Sequence, residues 1–260
     1  MAAPLPTLFI SHGSPMHALE PGAVRGVWES LGRSLPRPQA ILIASAHWET
    51  AVPEVTGTAK PETIHDFYGF PKPLYEIQYP APGAPEVALM AVNLLKKNGY
   101  KAVTDPERGL DHGAWSPLLH MYPRADIPVV QVSVQTELGT QHHLALGRAL
   151  APLSQEGVLI LGSGHMTHNL REMRGGVSTD YVRVFQAWVK DRIDAHELDA
   201  LADYRALKPE GVRAHPTEEH FLPLFVALGA APPGYAAERL YDGVDLGVLA
   251  MDAYLFRQAA

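Results

Sequence analysis

The chain has 260 residues, 47% hydrophobic and 19% charged, with 21 Lys and Arg against 28 Asp and Glu for a formal net charge of −7. That length and composition suffice for a hydrophobic core, which excludes disorder as the main state. The lack of cysteine excludes a disulfide framework, a thiolate nucleophile, an iron–sulfur cluster and a Cys-based zinc site, so a transition metal must be held by His and carboxylates.

No run of like charge stands out, and the acidic balance argues against nucleic acid as a partner. The N-terminal Met1-Ala2-Ala3-Pro4-Leu5-Pro6 lacks the basic and apolar regions of a signal peptide. No apolar stretch approaches the ~18–20 residues of a membrane helix. The expectation is a cytoplasmic protein with no membrane partner, either a monomer or a small homo-oligomer.

In chain order, short apolar runs over residues 7–10, 40–45, 127–134 and 157–161 read as buried strands, each bounded by Gly, Pro, Ser or Asp. Stretches of helical period cover 22–35, 84–98, 140–153, 180–195 and 218–228, and 235–240 and 246–256 offer late strands. The alternation predicts a single catalytic domain over 1–260, a three-layer α/β/α sandwich around a mostly parallel or mixed sheet. In such sheets ligands gather beyond the carboxyl ends of the strands.

Those ends carry histidines. The first strand runs into Ser11-His12-Gly13-Ser14-Pro15, the second into Ser45-Ala46-His47-Trp48, and the last of the four into Gly162-Ser163-Gly164-His165-Met166-Thr167-His168-Asn169. Further along lie Leu110-Asp111-His112-Gly113-Ala114-Trp115 and His215-Pro216-Thr217-Glu218-Glu219-His220. A lone histidine reads better as a cap or a satisfied core residue. Convergence of several at one rim, without Cys, reads as an imidazole or mixed imidazole and carboxylate metal site.

Other motifs lead nowhere. Gly162-Ser163-Gly164 has Thr167 where a dinucleotide fingerprint needs its third glycine, and its spacing is not that of a nucleophile elbow. His196-Glu197 lacks the second His of a zinc-protease helix.

Taken together and in order, the five His-bearing motifs resemble those of the DOPA 4,5-dioxygenase-type proteins. These are class III extradiol ring-cleaving dioxygenases, in the superfamily of the protocatechuate 4,5-dioxygenase catalytic subunit. The resemblance spans nearly the whole chain and implies a non-haem Fe(II) enzyme that opens a catecholic ring with O2 to a muconic semialdehyde-type product. It implies His12, His47 and His220 as metal ligands, His168 as the catalytic acid–base group and His112 as a second catalytic histidine that hydrogen-bonds substrate or oxygen. Protocatechuate-type enzymes have Glu as third ligand; the DOPA-type branch resembles this chain in having His. On a helix, neighbouring residues point about 100° apart, so only one of Glu219 and His220 would face the metal, and His220 is preferred.

Asp111 is expected to orient His112, and Ser14, Trp48, Asp111, Asn169 and His165 to contact substrate, with His165 at the pocket rim. Trp115, Tyr68 and Phe70 are further aromatic walls, His17 and His65 entrance residues, His215 a loop or helix-start residue, and Lys72, Arg171 or Arg174 partners for a carboxylate tail. The resemblance implies Fe(II) as the cofactor for activity, with Zn2+ expected to be able to occupy the same site in isolated protein. Two alternatives stay open: a zinc hydrolase or amidase in which His168 is the general base, and a metal-containing binding protein without catalysis.

Overall fold

Strands buried on both faces need apolar side chains at every position, and this is the pattern of the Ile, Val and Leu runs. The computed structural model describes residues 4–173 and 179–259. Among them the strands are β1 Thr7–Ser11, β2 Ala40–Glu49, β3 Glu54–Thr56, β4 Val103–Asp105, β5 Val129–Val134, β6 Val158–Gly164, β7 Ala236–Tyr241, β8 Val244–Asp245, β9 Leu249–Ala250 and β10 Ala253–Arg257. One sheet runs in the order β4-β3-β5-β2-β6-β1-β10-β7, and β8 pairs with β9 apart from it. The centre, β5-β2-β6-β1, is parallel, while β10 and β7 add an antiparallel margin. The sheet is therefore mixed, as one of the two expected forms.

Alternation along each strand feeds two helical layers. Leu8, Ile10, Ile41, Ile43, Leu159 and Leu161 pack against Trp28 and Leu31 of the Arg25–Ser34 helix and Trp115 and Leu118 of the His112–Met121 helix. On the other face, Leu42, Val130, Val132 and Ile160 meet Val87, Ala91 and Leu95 of the Pro85–Lys97 helix and Leu146 and Leu150 of the Gly139–Leu150 helix. Phe9, Tyr254 and Phe256 meet Phe185 of the Asp180–Asp194 helix and Phe225 of the Leu222–Ala230 helix. Each such fully buried side chain stabilises the fold by roughly 1.5–3 kcal/mol. No helix among the described residues is long and apolar enough to cross a membrane.

Three departures from the expected elements matter. The helix expected over 218–228 starts only at Leu222, leaving His220 in a turn. The one expected over 140–153 ends at Leu150 and tightens into a 3-10 turn, Ala151–Glu156, that holds Pro152 in its first residues, where a missing N–H costs nothing. The His112–Met121 helix had no periodic signal, because eight of its ten residues are buried and no polar face exists to create one.

The strand ends lie abreast: Ser11 is opposite Gly164, and Ser45 opposite Ser163. Beyond Ser45 the second strand bulges. Between Ala44 opposite Val132 and Glu49 opposite Val134, β2 carries four residues against the single Ser133 of β5. Bulges of this kind re-aim side chains, and this one turns His47 over the sheet rim.

Candidate metal centre and active site

His12 leaves β1 where its backbone N–H donates to the Gly164 carbonyl (3.0 Å). His47 rides on the bulge, its N–H donating to Ser45 Oγ (3.2 Å) and its carbonyl accepting from Arg108 Nη2 (3.2 Å). His220 arrives on the turn before the Leu222–Ala230 helix, with its carbonyl accepting the His165 N–H (2.7 Å). That approach needs glycine in β6: a Cβ on Gly164 would stand 2.1 Å from the His220 carbonyl oxygen. The pair of glycines that imitates a nucleotide-binding loop thus serves close packing.

The three imidazoles converge. Ring centroids are 4.9 Å apart for His12 and His47, 4.9 Å for His47 and His220, and 5.6 Å for His12 and His220. One nitrogen from each lies within 4.8 Å of the others. Two of the outer nitrogens are hydrogen-bonded and the third faces a carboxylate. Ser163 Oγ donates to the Gly113 carbonyl, so it accepts from His12 Nδ1 (3.1 Å). Glu219 Oε1 accepts from His220 Nδ1 (2.9 Å), and Asp66 Oδ2 lies 3.4 Å from His47 Nδ1.

With protons on all three Nδ1 atoms, each Nε2 presents a lone pair to the shared space. His12 Nε2 and His47 Nε2 stand 3.0 Å apart, and His220 Nε2 is buried without any partner. Two lone pairs at that separation repel unless a cation lies between them. Two nitrogens at right angles, each about 2.1 Å from an ion, are about 3.0 Å apart. Outer groups that fix the tautomer are characteristic of metal-binding histidines. Burial first, then the neighbouring imidazoles, holds His12 and His220 well below the ordinary histidine range; burial and His112 hold His47 at about 4. All three are neutral at pH 7, the form that binds a metal.

The cavity above these nitrogens, about 340 Å³, is lined by His12, Ser14, His47, His112, His165, His168 and His220, by Asp66, and by an apolar set described below. His168 stacks on His220 with ring centroids 3.4 Å apart and 12° between planes. Burial, followed by the fields of His215, His47 and His112, holds it at about 3. His112 is 4.0 Å from His47, centroid to centroid, and both its backbone N–H and its Nδ1 bond Asp66 at 2.9 Å. Burial alone would raise the Asp66 carboxyl, but the His112 hydrogen bonds and the two imidazoles outweigh it and hold it at about 2.

Over residues 6–242 the chain matches the family described as the catalytic LigB subunit of aromatic ring-opening dioxygenase. The chain belongs to this family. A 4,5-DOPA dioxygenase extradiol from Beta vulgaris is 44% identical to it, over 96% of either chain. One from Escherichia coli K12 is 40% identical over 95% of this chain and 93% of the relative. A crystal structure of an uncharacterized Escherichia coli K12 protein, 36% identical, superposes with a TM-score of 0.82 over 96% of this chain and 99% of that one.

In this ring-opening dioxygenase several residues stand elsewhere than the sequence suggested. Trp48 does not line the cavity: it follows His47 on an extended strand, points to the opposite side and carries the Arg108 guanidinium over its ring at 5.1 Å. Asp111 is wholly buried behind the site, bonding Ser45 Oγ (2.6 Å), Gln131 Nε2 (2.7 Å) and Arg108 Nη2 (3.0 Å), while the carboxylate that orients His112 is Asp66. Asn169 is buried outside the lining, its amide donating to the Arg213 carbonyl (2.8 Å). His165 is no rim residue: it is 1% exposed, 4.8 Å from His12 by ring centroids.

His17 pairs with Asp245 and His65 with the Ile77 carbonyl, both outside the cavity lining, whereas His215 lies in a loop as expected, just after the Pro209–Ala214 helix, and stacks on the buried Phe221. Trp115 is also core, 0% exposed, whereas Tyr68 and Phe70 do line the cavity. Lys72 pairs with Glu76, Arg171 is exposed off the lining, and Arg174 lies outside the described residues. Sequence reasoning missed Asp66, Phe67, Leu170, Met173 and Leu249 as lining residues. The one available signal was the aromatic cluster Asp66-Phe67-Tyr68-Gly69-Phe70.

Proposed function

We propose that the protein is a non-haem Fe(II) extradiol dioxygenase of one domain, taking a catechol of DOPA-like or related type and O2 to a muconic semialdehyde-type product. His12, His47 and His220 hold the metal in this reading, which the facing, donor-free Nε2 atoms of a neutral three-imidazole cluster support. Such a donor set suits iron and zinc alike. When bound, Fe(II) supplies the redox step by which ground-state O2 reacts with a closed-shell ring, which zinc does not.

His168 takes the acid–base role. Its ring, fixed by stacking on His220, is neutral in the empty site and so able to accept the proton a catechol hydroxyl loses on binding; the negative charge of the bound catecholate then favours the imidazolium that burial alone disfavours, and that proton is returned later in the reaction. His112, its Nδ1 committed to Asp66, offers its remaining nitrogen to the substrate. His165 closes the floor between His12 and His168, and Ser14 stands at the mouth. Asp111 and Asn169 act from behind the lining, through Ser45 and Arg108 and through the segment around Arg213. A cytoplasmic location belongs to the same reading.

Anaerobic reconstitution with Fe(II), followed by O2 uptake with catechols and the appearance of yellow semialdehyde absorbance, tests it. One O2 consumed per ring opened is the expected result, with none in the zinc-loaded protein. Stoichiometric Fe(II) and bound catechol without O2 uptake would overturn the proposal and favour metal-activated water.

A further inference from the structure

The cavity divides into two chemically distinct halves. Its floor is imidazole and carboxylate: His12, His47, His112, His165, His168, His220 and Asp66. Its mouth is mostly apolar, with Phe67, Tyr68 and Phe70 from one segment and Leu170, Met173 and Leu249 from two others, beside Ser14 and Pro15. The aromatic segment is built as a unit, with Phe67 lying 5.4 Å from Phe70 and 5.6 Å from His112 by ring centroids. Phe67 thereby joins floor to mouth.

Three members of the mouth present apolar surface to water: Tyr68 is 92% exposed, Leu170 50% and Met173 37%. Scattered exposed apolar residues need no explanation, but several around one cavity mark a binding surface. The volume points the same way. A catechol ring with its two hydroxyls on the floor leaves much of 340 Å³ unfilled, since cavities of about 300–1,000 Å³ enclose drug-sized ligands.

We infer that the mouth is an apolar subsite, and that within the DOPA-related catechols the preferred substrate is one in which an uncharged alkyl, alkenyl or aryl group on the outward ring carbon replaces the charged side chain of DOPA itself. This rests on the reading of the floor as the ring-opening centre. The substituent lies against Tyr68, Phe70, Leu170 and Met173, and removes all four from water. A carboxylate in the same place would lose hydration to apolar walls.

The test is a series from catechol through 4-methyl-, 4-ethyl-, 4-propyl- and 4-butylcatechol, with 3-(3,4-dihydroxyphenyl)propanoate as the charged analogue of similar length. In the Fe(II)-loaded enzyme kcat/KM is expected to rise about two- to fourfold per methylene, full burial giving the upper figure. The propanoate should fall below butylcatechol. Calorimetry on the zinc-loaded protein, which does not consume the ligand, should show Kd falling in the same order. Leu170→Ala with Met173→Ala should bring the butylcatechol-to-catechol ratio of Kd values toward one.

A flat series, or a propanoate preferred to butylcatechol in both measurements, would overturn the subsite. A Kd series that follows chain length while no member is opened by the Fe(II)-loaded enzyme would leave the subsite standing and remove the dioxygenase reading instead.

Discussion

Around the three converging imidazoles, each side chain has a partner that decides what it presents to the cavity. Ser163 and Glu219 hold the outer nitrogens of His12 and His220, and Asp66 serves His47 and His112 together. Replacing His12, His47 or His220 by Ala should remove most bound metal, read as metal content after dialysis; full occupancy in any of them would shift the ligand assignment. His168→Ala should keep both metal and catechol and lose turnover by ~10²–10⁴-fold, the usual contribution of an acid–base group. Asp66→Asn keeps shape but loses the charge facing two imidazoles, and a change behind a ligand of this kind costs roughly 10–100-fold in metal affinity or activity. Competition against a chelator measures it, and an unchanged affinity together with wild-type turnover would assign Asp66 to packing alone.

Elements bring these residues together, and they differ in how far the sequence announces them. Continuous apolar runs made β1, β2, β5 and β6 legible, and with them the strand ends after which His12, His165 and His168 follow. The bulge that turns His47 was not legible, because it is defined by the register against β5, a segment some 85 residues away that carries no local signal. Nor was the pairing of His112 with Asp66, separated by 46 positions and joined only once the His112–Met121 helix is packed. Asp111 was read as the orienting group because it is adjacent in sequence, whereas its carboxylate is spent on the bulge.

There Arg108 ties the His47 carbonyl to the buried Asp111 charge, backed by Ser45 and Gln131. Breaking a buried pair by deleting one partner costs roughly 3–5 kcal/mol; Arg108→Ala should cost less, because Ser45 and Gln131 still bond the carboxylate and Arg108 itself is partly exposed. Urea unfolding of the metal-free protein measures this, and a loss near zero would show that the bulge holds itself. Gly164→Ala, by contrast, forces the His220 turn away from β6. It should lower both metal affinity and stability, the latter by about 1–3 kcal/mol for overpacking.

At the scale of the whole molecule, neutral histidines buried in the fold link stability to pH. Apart from the three-imidazole cluster, burial holds His143, bonded to the Gly139 carbonyl and the Gln135 N–H, at about 4, and His215, bonded to the Met166 carbonyl, at about 4. In the unfolded chain both return to about 6.5. Above that value neither state binds a proton and neither group has a pH effect. Between about 6.5 and 4 the unfolded chain binds protons that the folded one excludes, so stability falls as pH falls, by about 1.4 kcal/mol per pH unit for each group. Asp252 works in the opposite direction: burial outweighs the Arg239 guanidinium at 2.6 Å and raises its carboxyl to about 6. Its contribution is present at low pH and lost as pH rises through about 6, so it offsets one histidine between about pH 4 and 6. The cluster histidines, all depressed in the metal-free protein, add to the loss on acidification. Metal-free protein should therefore lose stability steadily from pH 7 to pH 5 in urea titrations, and His143→Gln should flatten the slope by about one group's share. A slope that stays the same in that variant would mean that His143 takes up its proton without unfolding.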